Sequence, residues 1–136
     1  MSLSAAEHYR QQQILNASPA ERVVLLYDGA IRFMMITRQA IEEKDIQKRY
    51  DNALKARNIV QHLLETLDME KGGEIAQNLE NIYNFLLRQF LEVDKNSVEA
   101  VDEILKHLKI LRTSWAKIAM GEKEGVKDVS KDNIMA

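Results

Sequence analysis

Helix-breaking residues are scarce in this chain, and their scarcity limits the folds that are open to it. Only one proline and five glycines occur in 136 residues. These two residue types most strongly disfavour the interior of a helix. Residues that favour helices, namely Ala, Leu, Glu, Lys, Gln and Arg, dominate the rest of the sequence. We therefore expect an all-α fold with few turns.

The single proline marks the start of the first long helix. The residues Ser18-Pro19-Ala20-Glu21 form a capping box with proline at the first helical position. The serine side chain can accept a hydrogen bond from a free backbone amide, and Glu21 meets the positive end of the helix dipole. From there an apolar pattern with helical period continues to about residue 44.

Three further helices follow from patterns of the same kind. Turn signals at residues 68–73 and 94–97 come directly before the third and the fourth predicted helix. Because the connections are short, we expect consecutive helices to be antiparallel neighbours. The predicted fold is an antiparallel up-down four-helix bundle, with helices at about residues 18–44, 46–67, 74–93 and 98–120.

The two ends of the chain lie outside the predicted bundle. Residues 1–17 are too polar for a fifth full helix, but they contain three apolar side chains that can pin this segment across the bundle, Tyr9, Ile14 and Leu15. Residues 121–136 carry charges of both signs and two glycines. We predict that this second segment is a flexible tail.

The helices contain more apolar residues than one core-facing stripe needs. In the predicted helix at 74–93 the inward stripe is expected to be Ile75, Leu79, Ile82, Leu86 and Val93. Apolar residues outside the stripes are Leu54, Ile59, Tyr83, Leu87, Leu91, Ile110 and Ile118. Two explanations stay open. These residues contact neighbouring helices on a second side, or they line grooves that receive another chain.

Composition excludes several functions. The chain has no cysteine, so disulfides, thiolate metal sites and cysteine nucleophiles are absent. Its 19 basic and 21 acidic residues are balanced, which does not favour nucleic-acid binding. The longest apolar run, Val23–Tyr27, is far shorter than the about 20 residues of a membrane span. We expect a cytoplasmic protein with no catalytic residues, metal or cofactor.

The three histidines do not form a recognisable site. None belongs to a Glu-x-x-His arrangement, so the signature of a di-iron bundle is missing. A histidine phosphotransfer bundle would need His62 as its nucleophile. The residues that follow His62, Leu-Leu-Glu, lack the lysine and glycine expected to hold a phosphoryl group. This signalling function stays open as an alternative.

Arg57 is the unusual charge in the sequence. It falls within an apolar stripe, between Ala53, Ala56, Val60 and Leu64. One interpretation is a guanidinium that extends to solvent or pairs with a carboxylate. The other is a groove residue that binds a carboxylate or a helix C-terminus of a partner.

Several stretches together resemble the flagellin-specific export chaperones, the FliS family. They occur in the family's order over about residues 5–120 and include loop positions. The matching residues are Ser18-Pro19, Leu26-Tyr27-Asp28-Gly29-Ala30-Ile31-Arg32-Phe33, Lys55-Ala56-Arg57-Asn58-Ile59-Val60, Leu67-Asp68, Gly72-Gly73-Glu74-Ile75-Ala76, Asn78-Leu79, Leu111-Arg112 and Trp115.

The resemblance implies a function. Family members are antiparallel helical bundles that bind the disordered C-terminal segment of flagellin in the cytoplasm. They prevent premature polymerisation and deliver flagellin to the export gate, and contact with other flagellar regulators is a further expectation. In the family the N-terminal segment can lie over a hydrophobic site and move aside. That property would give Tyr9, Ile14 and Leu15 a gating role here.

The apolar surplus and the resemblance point to the same kind of site. Ordering a disordered client costs several kcal/mol, which only a long apolar track can offset. We expect the track on the outer flanks of the last three predicted helices, at Leu54, Arg57, Ile59, Tyr83, Leu87, Leu91, Ile110 and Ile118. The protein is expected to be a monomer or weak dimer. A self-associating bundle that buries Val24, Ile31 and Met35 remains a third alternative.

Overall fold

The structure is a computed structural model and describes residues 4–123. Within this range the chain forms five α-helices and no strand, so the all-α prediction is confirmed. The helices are α1 (Ala5–Asn16), α2 (Pro19–Glu43), α3 (Ile46–Glu65), α4 (Met69–Val93) and α5 (Val98–Lys123). Most of the predicted tail at 121–136 lies outside the described residues.

Side-chain caps begin the long helices. The Ser18 hydroxyl accepts a hydrogen bond from the Glu21 amide at 3.2 Å, and the Ser97 hydroxyl accepts one from the Ala100 amide at 3.1 Å. These contacts satisfy amides that have no partner inside the helix. α2 ends at Lys44, whose φ of 59° lies in the left-handed region and stops the helix.

The N-terminal segment differs from the expectation. Residues Ala5–Asn16 are helical, because Ser4 and Glu7 supply a second capping arrangement in which the serine hydroxyl accepts the Glu7 amide at 3.1 Å. No residue of α1 is buried. The polarity of this segment therefore limits its burial and not its helicity.

α4 begins five residues before the predicted start. Asp68 accepts hydrogen bonds from the Glu70 and Lys71 amides at 3.1 and 2.9 Å and starts a first helical turn. That turn is interrupted at Gly73, whose φ of 53° and ψ of −131° are non-helical. This backbone conformation suits glycine. The predicted break at residues 68–73 is thus present at Gly73, but the residues between Asp68 and Gly73 form a helical turn.

Helix α2 contacts both α3 and α5, and α4 contacts the same two helices. Arg38, late in α2, bonds to Asp102, early in α5, at 2.8 Å. Asp28, early in α2, accepts a hydrogen bond from Arg112, late in α5, at the same distance. α2 and α5 therefore run in opposite directions. The described residues form a helical bundle.

The core lies between α2 and α5, with α3 and α4 closing it. Its largest fully buried side chains are Tyr27, Met34, Tyr83, Leu86, Ile104 and Leu108. The hydroxyls of Tyr27 and Tyr83 are 2.5 Å apart, so each satisfies the other in the interior. Burial raises the pKa of both phenols, and that of Tyr83 reaches about 12.

The inward stripe of α4 has a different phase from the expected one. Its buried residues are Ala76, Leu79, Tyr83, Leu86, Phe90 and Val93. Tyr83, expected on the flank, is 1% exposed, whereas Ile75, expected inside, is 44% exposed. The prediction for Tyr83 was wrong because hydrophobicity alone ranks isoleucine above tyrosine. A tyrosine is well accommodated in a core when its hydroxyl has a partner.

Candidate functional site

A sizeable surface cavity lies under α1. We call it the α1 cleft, and its volume is about 540 Å³. One wall is the face of α1 that carries Tyr9, Gln12, Gln13 and Asn16. The rest of the lining comes from α2 and α5, namely Glu21, Val24, Leu25, Asp28, Arg112, Ala116, Ala119 and Met120.

The two walls of the α1 cleft differ in polarity. Val24, Leu25 and three α5 residues provide an apolar floor, and the Asp28–Arg112 ion pair is part of the lining. The covering helix presents mainly amide side chains to that floor. Amide groups gain little by covering an apolar surface, so α1 is a poor permanent partner for this cleft.

Only one of the three expected gating residues lines the cleft. Tyr9 does so while remaining 66% exposed. Ile14 and Leu15 are also exposed, Leu15 by 74%, and neither lines this cavity. The apolar residues of α1 therefore do not hold it on the bundle.

A second, smaller concavity lies between α3 and α4. We call it the α3/α4 notch, and its volume is about 60 Å³. It brings together three of the residues expected in the client track, Leu54, Arg57 and Leu91. Its other lining residues are Tyr50, Ala53, Phe90 and Asp94. Leu87 is half-buried one turn before Leu91.

Arg57 is exposed at this notch. No ion pair within residues 4–123 includes it, although Asp94 lines the same concavity. Its guanidinium therefore has hydrogen-bond donors available beside an apolar surface. A groove residue that binds a carboxylate of a partner would need such free donors.

The remaining track residues lie elsewhere. Ile59 packs toward α2, with its δ-methyl 3.4 Å from the position that a Cβ on Gly29 would occupy. On α5, Ile110 is exposed and Ile118 is half-buried. Tyr83 belongs to the core. The eight expected residues therefore do not line one continuous groove.

Sequence reasoning missed most of the α1 cleft. Ala116, Ala119 and the three amide-bearing residues of α1 carried no signal of a site, because small residues and glutamines are common on helices. In the sequence, Val24 was named for the self-associating alternative, and in the structure it contributes to the floor of the cleft.

The histidines are dispersed in the structure. His62 is exposed on α3, and His107 lies 3.2 Å from Glu103 with its ring edge-on to Phe85. Among residues 4–123 no group of three or more His, Asp or Glu side chains is placed to hold a metal ion. No helix in the same range is long and apolar enough to cross a membrane.

The described residues thus form a helical bundle with an apolar cleft beneath a short exposed helix. Residues 2–122 match the family model of flagellar protein FliS. The chain therefore belongs to the FliS family, the flagellar export chaperones, which confirms the resemblance seen in the sequence. No curated protein matches the chain significantly.

Proposed function

We propose that this protein is a non-enzymatic, ATP-independent cytoplasmic chaperone for flagellin. It binds the disordered C-terminal segment of flagellin, blocks premature polymerisation and delivers its client to the export apparatus. Helices α2–α5 act as an antiparallel up-down four-helix frame. The main support is the α1 cleft, because the helix that covers this apolar surface buries none of its own residues.

Exchange of α1 for a client segment is energetically reasonable. α1 buries none of its residues, so few packing contacts are lost when it leaves the bundle. A client helix with apolar side chains gains about 25 cal/mol for each Å² of apolar surface that it buries on the floor. We propose that α1 moves aside and that Tyr9, Ile14 and Leu15 move with it.

The α3/α4 notch is a second client contact in this proposal. Leu54, Leu87 and Leu91 supply apolar surface, and Arg57 binds a carboxylate or a helix C-terminus of the client. The notch accommodates the tip of a side chain and not a whole helix, so its contribution is smaller. Ile59, Ile110 and Ile118 remain proposed contacts on the flanks of α3 and α5.

Calorimetric titration with a flagellin C-terminal peptide tests the α1 cleft. Met120 is 62% exposed, so Met120→Asp leaves the core intact while placing a charge on the cleft floor. We expect it to weaken binding by roughly tenfold or more, because an unpaired carboxylate would be buried by the client. Ser114→Asp adds the same charge on an exposed position of α5 outside the cleft and serves as the control.

Equal binding by both variants would rule out the cleft as the client site. In that case Leu91→Asp and Arg57→Ala, measured for binding and for thermal stability, would show whether the notch is the main contact. Sedimentation across concentration completes the test. A tight dimer that is broken by Met35→Asp would favour the self-associating alternative.

A further inference from the structure

The opposite side of α2 carries a surface that lies outside both the α1 cleft and the α3/α4 notch. We call it the α2/α3 edge. It follows both helices over matching residues, because Gly29 lies beside Ile59 and Phe33 lies beside Lys55. Its members are Arg22, Leu26, Gly29, Arg32 and Phe33 on α2, and Lys55, Ile59, His62, Leu63 and Thr66 on α3.

Two cations meet one aromatic ring on this edge. The Arg32 guanidinium is 5.1 Å from the centre of the Phe33 ring, and the Lys55 ammonium is 5.4 Å from the same point. Each contact is a cation–π interaction, which holds the charge close to an apolar surface. The guanidinium also passes beside Gly29, since Arg32 Nη2 lies 3.9 Å from the position that a Cβ there would occupy, an ordinary contact distance.

Among residues 4–123 the positive charges of this edge, Arg22, Arg32 and Lys55, form no ion pair. The acidic residues of the same stretch of α2 are used elsewhere. Glu21 and Asp28 line the α1 cleft, where Asp28 pairs with Arg112. In this stretch of α2, Glu21 and Asp28 thus line the α1 cleft, whereas Arg22 and Arg32 belong to the α2/α3 edge.

An open pocket lies at one end of the edge. Its volume is about 260 Å³, and its floor includes Leu26, Leu63, Tyr83 and Trp115. Arg22, His62 and Thr66 also line it and provide polar groups. The pocket is large enough for one aromatic or branched side chain. Phe33 lies seven positions after Leu26 on α2, which is about 10 Å along a helix.

We propose that the α2/α3 edge binds an acidic, amphipathic segment of a second protein partner. A large apolar side chain of that segment enters the pocket at Leu26 and Leu63, and its carboxylates contact Arg32 and Lys55 about 10–15 Å away. Charge complementarity selects the partner, because both unpaired cations are displayed beside apolar surface.

This second partner can bind while a client occupies the α1 cleft. The cleft lies between α2 and α5, whereas the edge lies between α2 and α3. The two surfaces have different charge and share no lining residue. The proposal therefore stands whether or not flagellin is the client.

Nuclear magnetic resonance of the full chain with designed peptides tests the proposal. Each peptide has blocked ends, one Phe, and Glu residues about seven and about ten positions from it, with Ala and Gln elsewhere. Two versions place the Glu residues after or before the Phe. We expect at least one to shift the backbone amide signals of Gly29, Phe33 and Ile59. Replacing its Glu residues by Gln, or its Phe by Ala, is expected to weaken binding by roughly tenfold.

The protein variants provide matched comparisons. The double variant Arg32→Gln with Lys55→Gln is expected to bind the acidic peptide roughly tenfold more weakly, because both exposed charge contacts are lost. Lys106→Gln with Lys117→Gln removes two exposed cations of α5 and is expected to change nothing. No shift at the edge with either peptide, or equal shifts with the Gln peptide, would overturn the proposal.

A final titration separates this proposal from the chaperone function. The same peptide is added to protein that has been saturated with the flagellin C-terminal segment. Unchanged shifts at Gly29 and Phe33 support an independent surface. Loss of these shifts would mean that the edge is part of the client site, and it would overturn the proposal that the edge binds a separate partner. Failure of flagellin to bind would contradict the chaperone proposal and leave the peptide result intact.

Discussion

Helices α1 and α2 both begin at a serine whose hydroxyl accepts a hydrogen bond from the amide of a glutamate three residues later. The distances are 3.1 Å at Ser4 and 3.2 Å at Ser18. Beyond this start the two helices differ. α2 buries seven residues, including Tyr27 and Met34, whereas α1 buries none. The same local chemistry thus starts a central helix of the bundle and a helix that lies on its surface.

The difference separates what a cap does from what burial does. A cap satisfies amides at a helix end and contributes about 1 kcal/mol. Most of the stability of a helix in a protein comes from packing its apolar face against the rest of the fold. α2 has both contributions, and α1 has only the first. A helix that is capped but not packed, such as α1, is expected to be displaced at low cost in free energy.

Truncating one apolar side chain on each helix gives the largest expected contrast. Met34 is fully buried, so Met34→Ala is expected to lower the free energy of unfolding by about 2–5 kcal/mol. Leu15 is 74% exposed, and Leu15→Ala is expected to change it by less than about 0.5 kcal/mol. Urea denaturation measures both. A comparable loss at Leu15 would mean that α1 is packed in solution.

The tyrosines extend the comparison to alkaline pH. The pKa of Tyr83 is raised from 10.0 to about 12 by burial, and that of Tyr27 is raised further. The unfolded state therefore loses these protons first. This contribution to stability, about 3 kcal/mol for Tyr83, is complete below about pH 10 and is lost as the pH rises toward about 12.

Phenylalanine variants test how stability depends on pH. The free energy of unfolding is measured between about pH 9 and about pH 12, because the ordinary phenol pKa is about 10. Tyr27→Phe alone leaves the Tyr83 hydroxyl buried without its partner and is expected to cost about 1–3 kcal/mol at neutral pH. The double variant with Tyr83→Phe is expected to recover most of this loss and to resist alkaline unfolding. Tyr9→Phe on α1 is the control, and a shift of its alkaline transition would contradict the assignment.

Removing the two caps gives the smallest expected contrast. Ser18→Ala is expected to lower the free energy of unfolding by about 1 kcal/mol, because an amide of α2 loses its partner. Ser4→Ala is expected to leave that free energy unchanged and to speed amide hydrogen exchange within α1 alone. A global effect of Ser4→Ala would show that α1 unfolds together with the bundle.

Local features of the fold were predictable because their causes lie within a few residues. The cap at Ser18, the break at Gly73 and the cap at Ser97 follow from side chains and backbone conformations beside them. The helicity of α1 was equally readable from Ser4 and Glu7, but the absence of an apolar stripe concealed it. Polarity decides burial, and a capped polar segment can still be helical.

The residues predicted for the client track are only partly brought together. Leu54, Arg57 and Leu91 meet at the α3/α4 notch, and their role there stays a prediction. Tyr83 was misplaced because its environment depends on Tyr27, which lies 56 positions away. The α1 cleft was missed because its walls come from three helices, and no local pattern joins Val24 to Ala116.

The sequence by itself determined the helices, their main breaks and the family of the protein. These features depend on hydrogen bonds and side-chain periods that span only a few residues. Only the tertiary structure decided which flank of each helix is covered and which grooves remain open. That outcome depends on contacts such as Asp28 with Arg112, 84 positions apart, whose distance is set by the packing of the whole bundle.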